Sequence, residues 1–528
     1  MAVAVALSAT TAQAAAPEMT PLPPRPVTRP VADCAALARQ ELRVPGGPAF
    51  KIASAAVEPA AGERAEFCLV KGYIAPQVQF ELRLPTAAYT GRYLQSGCGA
   101  MCGVVGQSLG SRTNDRRLFS GAFAVAFDNA GHYSAGDATW AIGAPELRAD
   151  FAYRSSHKTA TVAKAVIAAY YGAPPQFSYF AGCSNGGRQG LNEVQKFPND
   201  FNGVVVGSSI SMPVVMNRYI WEAQAGLDAQ GQPIITRDDA RLLHGAVMAR
   251  CDDADGVKDG QIDDPRACRF DPAEIGCKPG AAAGSCLTPA QVAVVRKLYQ
   301  GPLDEKGRRQ FPGGAPYGSE LDWHSPGGFT GQVKGIATAF MTNLVFPGQL
   351  PESFGWRDWR FTSAQFDKMR KAAAAYEAGA TDLSPFRKAG GKLLMWQGTA
   401  DNTAGAYGMP EYLQAVGGRM GGPASIRDFT RLFMVPAVYH CAGGYLPYET
   451  DLLAGIVDWV ELGRAPDALL ATAPLPGGAT RQRPVFAYPA KARYRGGDIN
   501  AAASFTAETP AGPVNDAYPW VGSPLRAR

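Results

Sequence analysis

Chemistry in this chain starts from Gly182-Cys183-Ser184-Asn185-Gly186-Gly187. An apolar, aromatic run, Phe177 to Ala181, precedes it and reads as a strand. Arg188 to Val194, with helical spacing, follows. Strand, sharp glycine-flanked turn and helix form the context in which a Gly-x-Ser-x-Gly pattern gains meaning, because the turn lifts the hydroxyl clear at the end of a sheet. Without a base and a carboxylate elsewhere, the same residues are only a glycine-rich loop with an incidental serine.

A serine nucleophile needs a base to take its proton and a carboxylate to orient that base. Two later apolar runs offer both. Lys392 to Trp396 leads to Asp401, and Arg431 to Val435 leads to His440. The order Ser184, Asp401, His440 is the order of α/β-hydrolase triads. His132 and His157 precede the serine, and His244 and His324 fall in a middle region without strand rhythm. Asp128 closes an earlier apolar run and ranks behind Asp401 as the acid. Asn185, next after the serine, offers one backbone N–H to an oxyanion, and the glycine-rich loop 96–103 offers the second, with Gly99 as the chosen donor. That loop is otherwise a turn stapled by Cys98 and Cys102.

The elements that must position these residues alternate. Strands are expected at 68–74, 79–84, 91–95, 123–127, 177–181, 203–207, 392–396 and 431–435. Helices are expected at 34–41, 156–171, 188–194 and 451–460. This alternation implies a mainly parallel sheet. Between them, residues 210–385 hold helical pieces (238–250, 289–299, 363–378) among Gly, Pro and Asp-rich loops, and read as an inserted lid. The fold class is therefore α/β, an α/β-hydrolase core formed by 31–209 and 386–528 with a large inserted lid domain. Residues 1–16 read as the remnant of a secretory signal peptide, and 17–30 as a Pro-rich leader.

At 528 residues, 46% apolar and 18% charged, the chain can bury a large core. A net charge of +5 without a basic cluster argues against nucleic acid as a partner. No run is long and apolar enough for a membrane span. Ten cysteines and an apolar leader suit an oxidising compartment, secreted or periplasmic. They fall as Cys34 and Cys68, Cys98 and Cys102, Cys251 and Cys268, and Cys277 and Cys286, leaving Cys183 and Cys441. These last two flank Ser184 and His440. If serine and histidine meet, their neighbours come close too, and a bridge needs Cα atoms only about 4.4–6.8 Å apart. A Cys183–Cys441 disulfide is expected. Cys183 could itself be a nucleophile, but Ser184 holds the centre of the turn.

Six carboxylates lie between Asp252 and Asp264, interleaved with glycine. Such density suits a hard cation bound by oxygen, or else a solvated acidic loop, and its frame is not that of an EF-hand.

Together these residues resemble the tannase and feruloyl esterase family: Gly-Cys-Ser-x-Gly-Gly at 182–187, a Gly-x-x-Asp turn at 398–401, and His-Cys at 440–441. The resemblance implies the same Cys183–Cys441 bridge. It also implies a structural Ca²⁺ in the lid, because Cys251 to Gly260 matches the family's Cys-Asp-x-x-Asp-Gly-x-x-Asp-Gly loop. By that similarity the ligands would be Asp252, Asp255 and Asp259 with the backbone oxygens of Val257 and Gln261. Residues 226–231 and 490–500 are similar to a bacterial branch acting on terephthalate monoesters. That branch holds the substrate carboxylate with a lid arginine, and Lys334 stands in the corresponding region. The expected activity is hydrolysis of small aromatic, feruloyl-type esters through an acyl-enzyme. Galloyl esters or terephthalate monoesters are the alternatives, and a non-catalytic calcium-dependent binding protein is the contrasting class. Trp323, Phe340, Phe346 and Trp356 are candidates to stack on an aromatic acid, or to be ordinary lid core.

Overall fold

The computed structural model describes residues 20–106, 115–134, 136–209, 211–325, 328, 331, 333–510 and 521. The signal-like start, 1–16, lies outside the described residues, as do 17–19 of the leader. Nine strands form one mixed sheet: β1 (Phe50–Glu58), β2 (Phe67–Ile74), β3 (Val78–Pro85), β4 (Arg92–Ser96), β5 (Phe123–Asp128), β6 (Phe177–Cys183), β7 (Gly203–Gly207), β8 (Lys392–Gly398) and β9 (Thr430–Val435). Their order is β1-β2-β3-β5-β4-β6-β7-β8-β9. The first three are antiparallel, and β5 through β9 pair in parallel. Every residue of β4, β5 and β7 is buried, as strands covered on both faces must be; β5 and β7 are near-continuous apolar runs, whereas β4 buries Arg92, Gln95 and Ser96 as well. The chain crosses between these strands through α1 (Asp115–Phe119), α2 (Pro145–Ala149), α3 (Ser155–Tyr171) and α4 (Asn185–Lys196). Gly172, at φ 81°, ends α3 in the left-handed conformation that closes many helices.

Between β7 and β8 the chain forms α5 (Met212–Gly226), α6 (Arg237–Cys251), α7 (Pro289–Gln300), α8 (Val333–Ala339), α9 (Ser363–Ala372) and α10 (Ser384–Lys388). An isolated bridge pairs Ser211 with Glu377, so this insertion leaves and rejoins the core at one neck. Thr236 with Asp239, and Thr288 with Gln291, cap α6 and α7 reciprocally. One apolar cluster of the insertion gathers around Leu243, Val295 and Trp323. A second joins Ile220, Phe340 and Trp359 to Cys98, Met101 and Cys102 of the core. Among the described residues no helix is long and apolar enough to cross a membrane.

After α11 (Gly408–Arg419) come α12 (Leu452–Leu462) and two small sheets, β10-β11-β12 (Glu449–Thr450 just before α12, Ala468–Pro474, Thr480–Phe486) and β13-β14 (Lys491–Tyr494, Phe505–Glu508). Neither they nor β1 were expected. The expected helix at 34–41 is only a single turn, Ala35–Ala38, with Leu37 its one buried residue. So short a segment cannot sustain a helix alone. The expected helix 363–378 breaks after Ala372, where Tyr376 turns inward against Phe151 and Phe340.

One buried ion pair ties the middle of the sheet to α12. Arg92 of β4 makes two bonds to Glu461, at 2.7 and 2.8 Å, and Tyr179 Oη donates to the same carboxylate at 2.8 Å. Both charged side chains are 2% exposed. Glu461→Ala strands a buried guanidinium, so it lowers stability by about 3–5 kcal/mol, read as a fall in the urea midpoint at unchanged m-value.

Candidate active site

Ser184 sits at φ 61°, ψ −124° between the last residue of β6 and the first of α4. A non-glycine residue rarely adopts positive φ, and this strain is what a nucleophile turn stores. Its neighbours explain how the strain is held. A Cβ on Gly182 would lie 2.5 Å from the Gly186 carbonyl, and one on Gly187 would lie 2.4 Å from the Gly207 oxygen. Only glycine lets α4 come this near the sheet. The Ser184 N–H donates to Gly207 O at 3.0 Å, and Ser184 O accepts from the Arg188 N–H at 3.0 Å.

His440 follows β9, and its Nδ1 lies 3.0 Å from Asp401 Oδ2. Asp401, just past β8, is fully buried. Its Oδ2 also accepts from Gln397 Nε2, and its Oδ1 accepts from the Thr403 and Ala404 N–H groups, each at 2.9 Å. Burial alone raises a carboxyl pKa, but the facing imidazole and these donors hold Asp401 below its usual value. Burial pulls His440 down, yet the Asp401 charge outweighs it and the imidazole pKa is raised. The Cys183–Cys441 disulfide, with Cα atoms 5.8 Å apart, fastens the residue before Ser184 to the residue after His440. The other four expected bridges, Cys34–Cys68, Cys98–Cys102, Cys251–Cys268 and Cys277–Cys286, also form, and no cysteine is free.

The loop after β4 lies against the first turns of α4. Cys98 N–H donates to Gln189 Oε1 at 2.9 Å, Gly97 N–H to Ala181 O at 2.9 Å, and Cys102 N–H to Gly99 O at 2.8 Å. The Gly99 N–H, by contrast, has no acceptor among the described residues. Asn185 opens α4, where helix N–H groups lack partners of their own.

The competing residues are engaged elsewhere. Asp128 accepts from the Ala130 N–H at 2.7 Å, and burial pushes its carboxyl up to about 6. His157 pairs with Asp200, His244 pairs with Glu320, and His132 stacks on Trp140. Trp323 is buried in the insertion's own cluster, and Phe340 and Phe346 are buried in the cluster shared with Cys98, Met101 and Cys102, so all three serve as packing. Trp356 is partly exposed beneath Arg357, and Lys334 is half-buried on α8. Two residues of the insertion that the sequence did not single out reach the site. Arg218 Nη2 donates to Asn402 Oδ1 at 3.0 Å, beside Asp401. Asp322 is buried with Oδ2 unpartnered, and its charge acts on His440; burial, then Asp401, pushes it up to about 6.

The carboxylates of the acidic loop crowd one another. Burial, then repulsion from Asp263, pushes Asp255 up to about 8, and burial pushes Asp259 up to about 6. Asp259 Oδ1 is buried without a partner. An all-oxygen set whose mutual repulsion Arg483 relieves only in part, with an orphaned oxygen, fits a hard divalent cation. Asp252 instead spends Oδ1 on the N–H groups of Asp259, Gly260 and Gln261, at 3.0–3.1 Å. Asp263, absent from the expected ligands, is half-buried beside them, and its charge acts on both Asp255 and Asp259. Arg483 of β12 pairs with Asp259, and Arg481 donates to the Asp259 carbonyl at 2.7 Å.

Comparison with known proteins agrees with this architecture. The family model described as tannase and feruloyl esterase matches residues 63–507. The chain is 32% identical over 522 residues to a mono(2-hydroxyethyl) terephthalate hydrolase of Piscinibacter sakaiensis, covering 84% of this chain and 85% of the relative. It is 35% identical over 389 residues to a probable feruloyl esterase of Arthroderma benhamiae, covering 68% and 69%. The crystal structure of feruloyl esterase B from Aspergillus oryzae superposes with TM-score 0.80 at 25% identity, over 90% of this chain and all of that one. The chain belongs to the tannase and feruloyl esterase family and is a carboxylic ester hydrolase.

Proposed function

We propose that this protein hydrolyses feruloyl-type aromatic esters through a Ser184 acyl-enzyme, outside the cytoplasm. The observation that carries the proposal is the Cys183–Cys441 bridge between the strained serine turn and a histidine already seated on a buried aspartate. In this mechanism Asp401 holds the Nδ1–H, leaving Nε2 as the base. Ser184 Oγ attacks the ester carbonyl while His440 takes its proton. The Gly99 and Asn185 N–H groups receive the charge that develops on the carbonyl oxygen. His440 returns the proton to the leaving alcohol, then activates the water that releases the aromatic acid. Residues 210–385 act as the lid that covers the acid. Five disulfides suit an oxidising compartment.

The acidic loop of the lid binds Ca²⁺ structurally, through Asp252, Asp255 and Asp259 with the Val257 and Gln261 carbonyls. Its repulsion and its orphaned Asp259 oxygen support this role. Bound there, the ion neutralises the buried carboxylates.

Ser184→Ala lowers kcat on methyl ferulate by about 10⁶-fold. In a panel with methyl gallate and mono(2-hydroxyethyl) terephthalate, methyl ferulate has the highest kcat/KM; another substrate in first place replaces the acyl group proposed, and inert wild-type protein ends the enzyme reading.

The pH dependence follows from the histidine. The base must be neutral, and the folded-state pKa lies above the ordinary 6.5. Activity is therefore lost on the acid side with a midpoint above that value. Asp401→Asn lowers kcat by about 10⁴-fold and moves that midpoint down, since burial is then less opposed.

Metal analysis of protein purified without chelator finds calcium. EDTA lowers the melting temperature and Ca²⁺ restores it; at about 100 Kd of free ion the restored stability is about 2.7 kcal/mol. Asp259→Asn removes the response.

A further inference from the structure

An oxyanion donor works only if it is already aimed when charge develops. The second donor here sits on an arch, residues 99–101, whose Ala100 is exposed at φ 50°. Such an arch needs fixed feet, and both rest on α4. At one foot, Gln189 Oε1 accepts the Cys98 N–H at 2.9 Å. At the other, Asn185 Nδ2 lies 2.9 Å from Cys102 Sγ. The Cys98–Cys102 disulfide joins the two feet. Beneath them the backbones touch: a Cβ on Gly97 would lie 2.7 Å from Gly186 Cα and 3.0 Å from Gln189 Oε1. The contact therefore sets the height of the arch over the helix, while the two side chains set its direction.

Asn185 is itself held. Arg188 Nε donates to Asn185 Oδ1 at 2.7 Å, and its guanidinium is pinned on the carbonyls of Phe151 and Ala152. Arg188 is buried, and among the described residues it pairs with no carboxylate. Its role in the contact network is to orient Asn185. The Gly97, Cys98, Cys102 and Gly103 amides all have acceptors. That leaves Gly99 and Met101 as the buried residues of the arch whose N–H groups have no acceptor among the described residues.

We propose that Gln189 and the Asn185 side chain are positioning residues that hold the 99–101 arch as the second half of the oxyanion site. The proposal rests on the Ser184 acyl-enzyme reading. It differs from that reading in assigning catalytic geometry to side chains that touch no reacting atom.

Gln189→Met removes the acceptor at similar volume, and Asn185→Ala removes the other foot while keeping the Asn185 N–H. An aryl trifluoromethyl ketone probes the oxyanion. Ser184 Oγ adds to its carbonyl carbon, the π bond becomes an alkoxide, and the serine proton moves to His440. Each variant lowers kcat on methyl ferulate by about 10–100-fold and weakens ketone binding by the same factor. KM and inhibition by ferulic acid, which carries no developing oxyanion, stay within about twofold. Near-ultraviolet circular dichroism checks the fold, and either variant that folds decides the matter. Unchanged kcat and ketone affinity in a folded variant overturn the proposal, as does a loss of ferulic acid affinity parallel to kcat. Wild-type protein that neither turns over the ester nor binds the ketone is a failure of the acyl-enzyme reading itself, and it removes this proposal with it.

Discussion

The site depends on how closely α4 approaches the sheet. Glycines at 182, 186 and 187 let backbone meet backbone where any side chain would collide. That proximity forces the strained conformation of Ser184 and keeps it from relaxing, because the turn is bonded to β7 on one side and to α4 on the other. It also brings the helix's unpaired N–H groups to the end of β6, where their partial positive charge favours an anion. The disulfide to the histidine loop, the nucleophile and the contacts to the loop after β4 thus follow one another from the end of β6 through the first turns of α4. Enlarging any of these glycines would move all three together.

The acid side of the site is built differently. Asp401 is a charge taken wholly out of water, which costs several kcal/mol unless it is compensated. Compensation comes from three neutral donors and the imidazole, so the carboxylate is fixed before any substrate arrives. The insertion adds two opposed influences on His440: the Asp322 carboxylate raises its pKa and the Arg218 guanidinium lowers it. The segment between β7 and β8 therefore takes part in the electrostatics of the base.

Much of this was legible in the sequence where one residue type has one physical use. Ser184 between glycines, Asp401 and His440 just past apolar strands, and cysteines beside both partners left few other arrangements. Most strands of the parallel sheet showed as apolar runs for the same reason, β4 with its Arg92 and Gln95 being the exception. What stayed hidden breaks those rules. In β12 the inward positions are Arg481, Arg483 and Val485, so its alternation points charge into the protein and the strand does not look like one. β11 is mostly alanine and leucine, with no polar alternation to mark its faces. The lid aromatics resembled a binding platform because a buried tryptophan and an exposed one are the same letter; Trp323 packs inside its own cluster. Gln189 and Gln397 were invisible because a glutamine gives no sign of which amide or carboxylate it meets.

Those inward arginines explain why a loop far from the serine in sequence bears on it. Arg483 and Arg481 hold Asp259, so the small C-terminal sheet grips the acidic loop from one side. From the other side, Ile262 N–H donates to Tyr445 Oη at 3.1 Å, and Tyr448 Oη donates to Gln261 Oε1 at 2.7 Å. Both tyrosines lie within eight residues of His440 on the same segment. Tyr445 also packs edge-on against His244 of α6. The acidic loop, the insertion and the histidine segment thus share one joint. Crowded carboxylates in a joint push it apart unless something neutralises them; Arg481, Arg483 and Lys491 act on Asp259 and Asp263, yet burial and Asp263 still push the Asp255 carboxyl up. A cation here, as proposed, would close the joint without touching substrate, and its loss would be felt first in the His440 loop, which would keep its ties to Asp401 and Cys183.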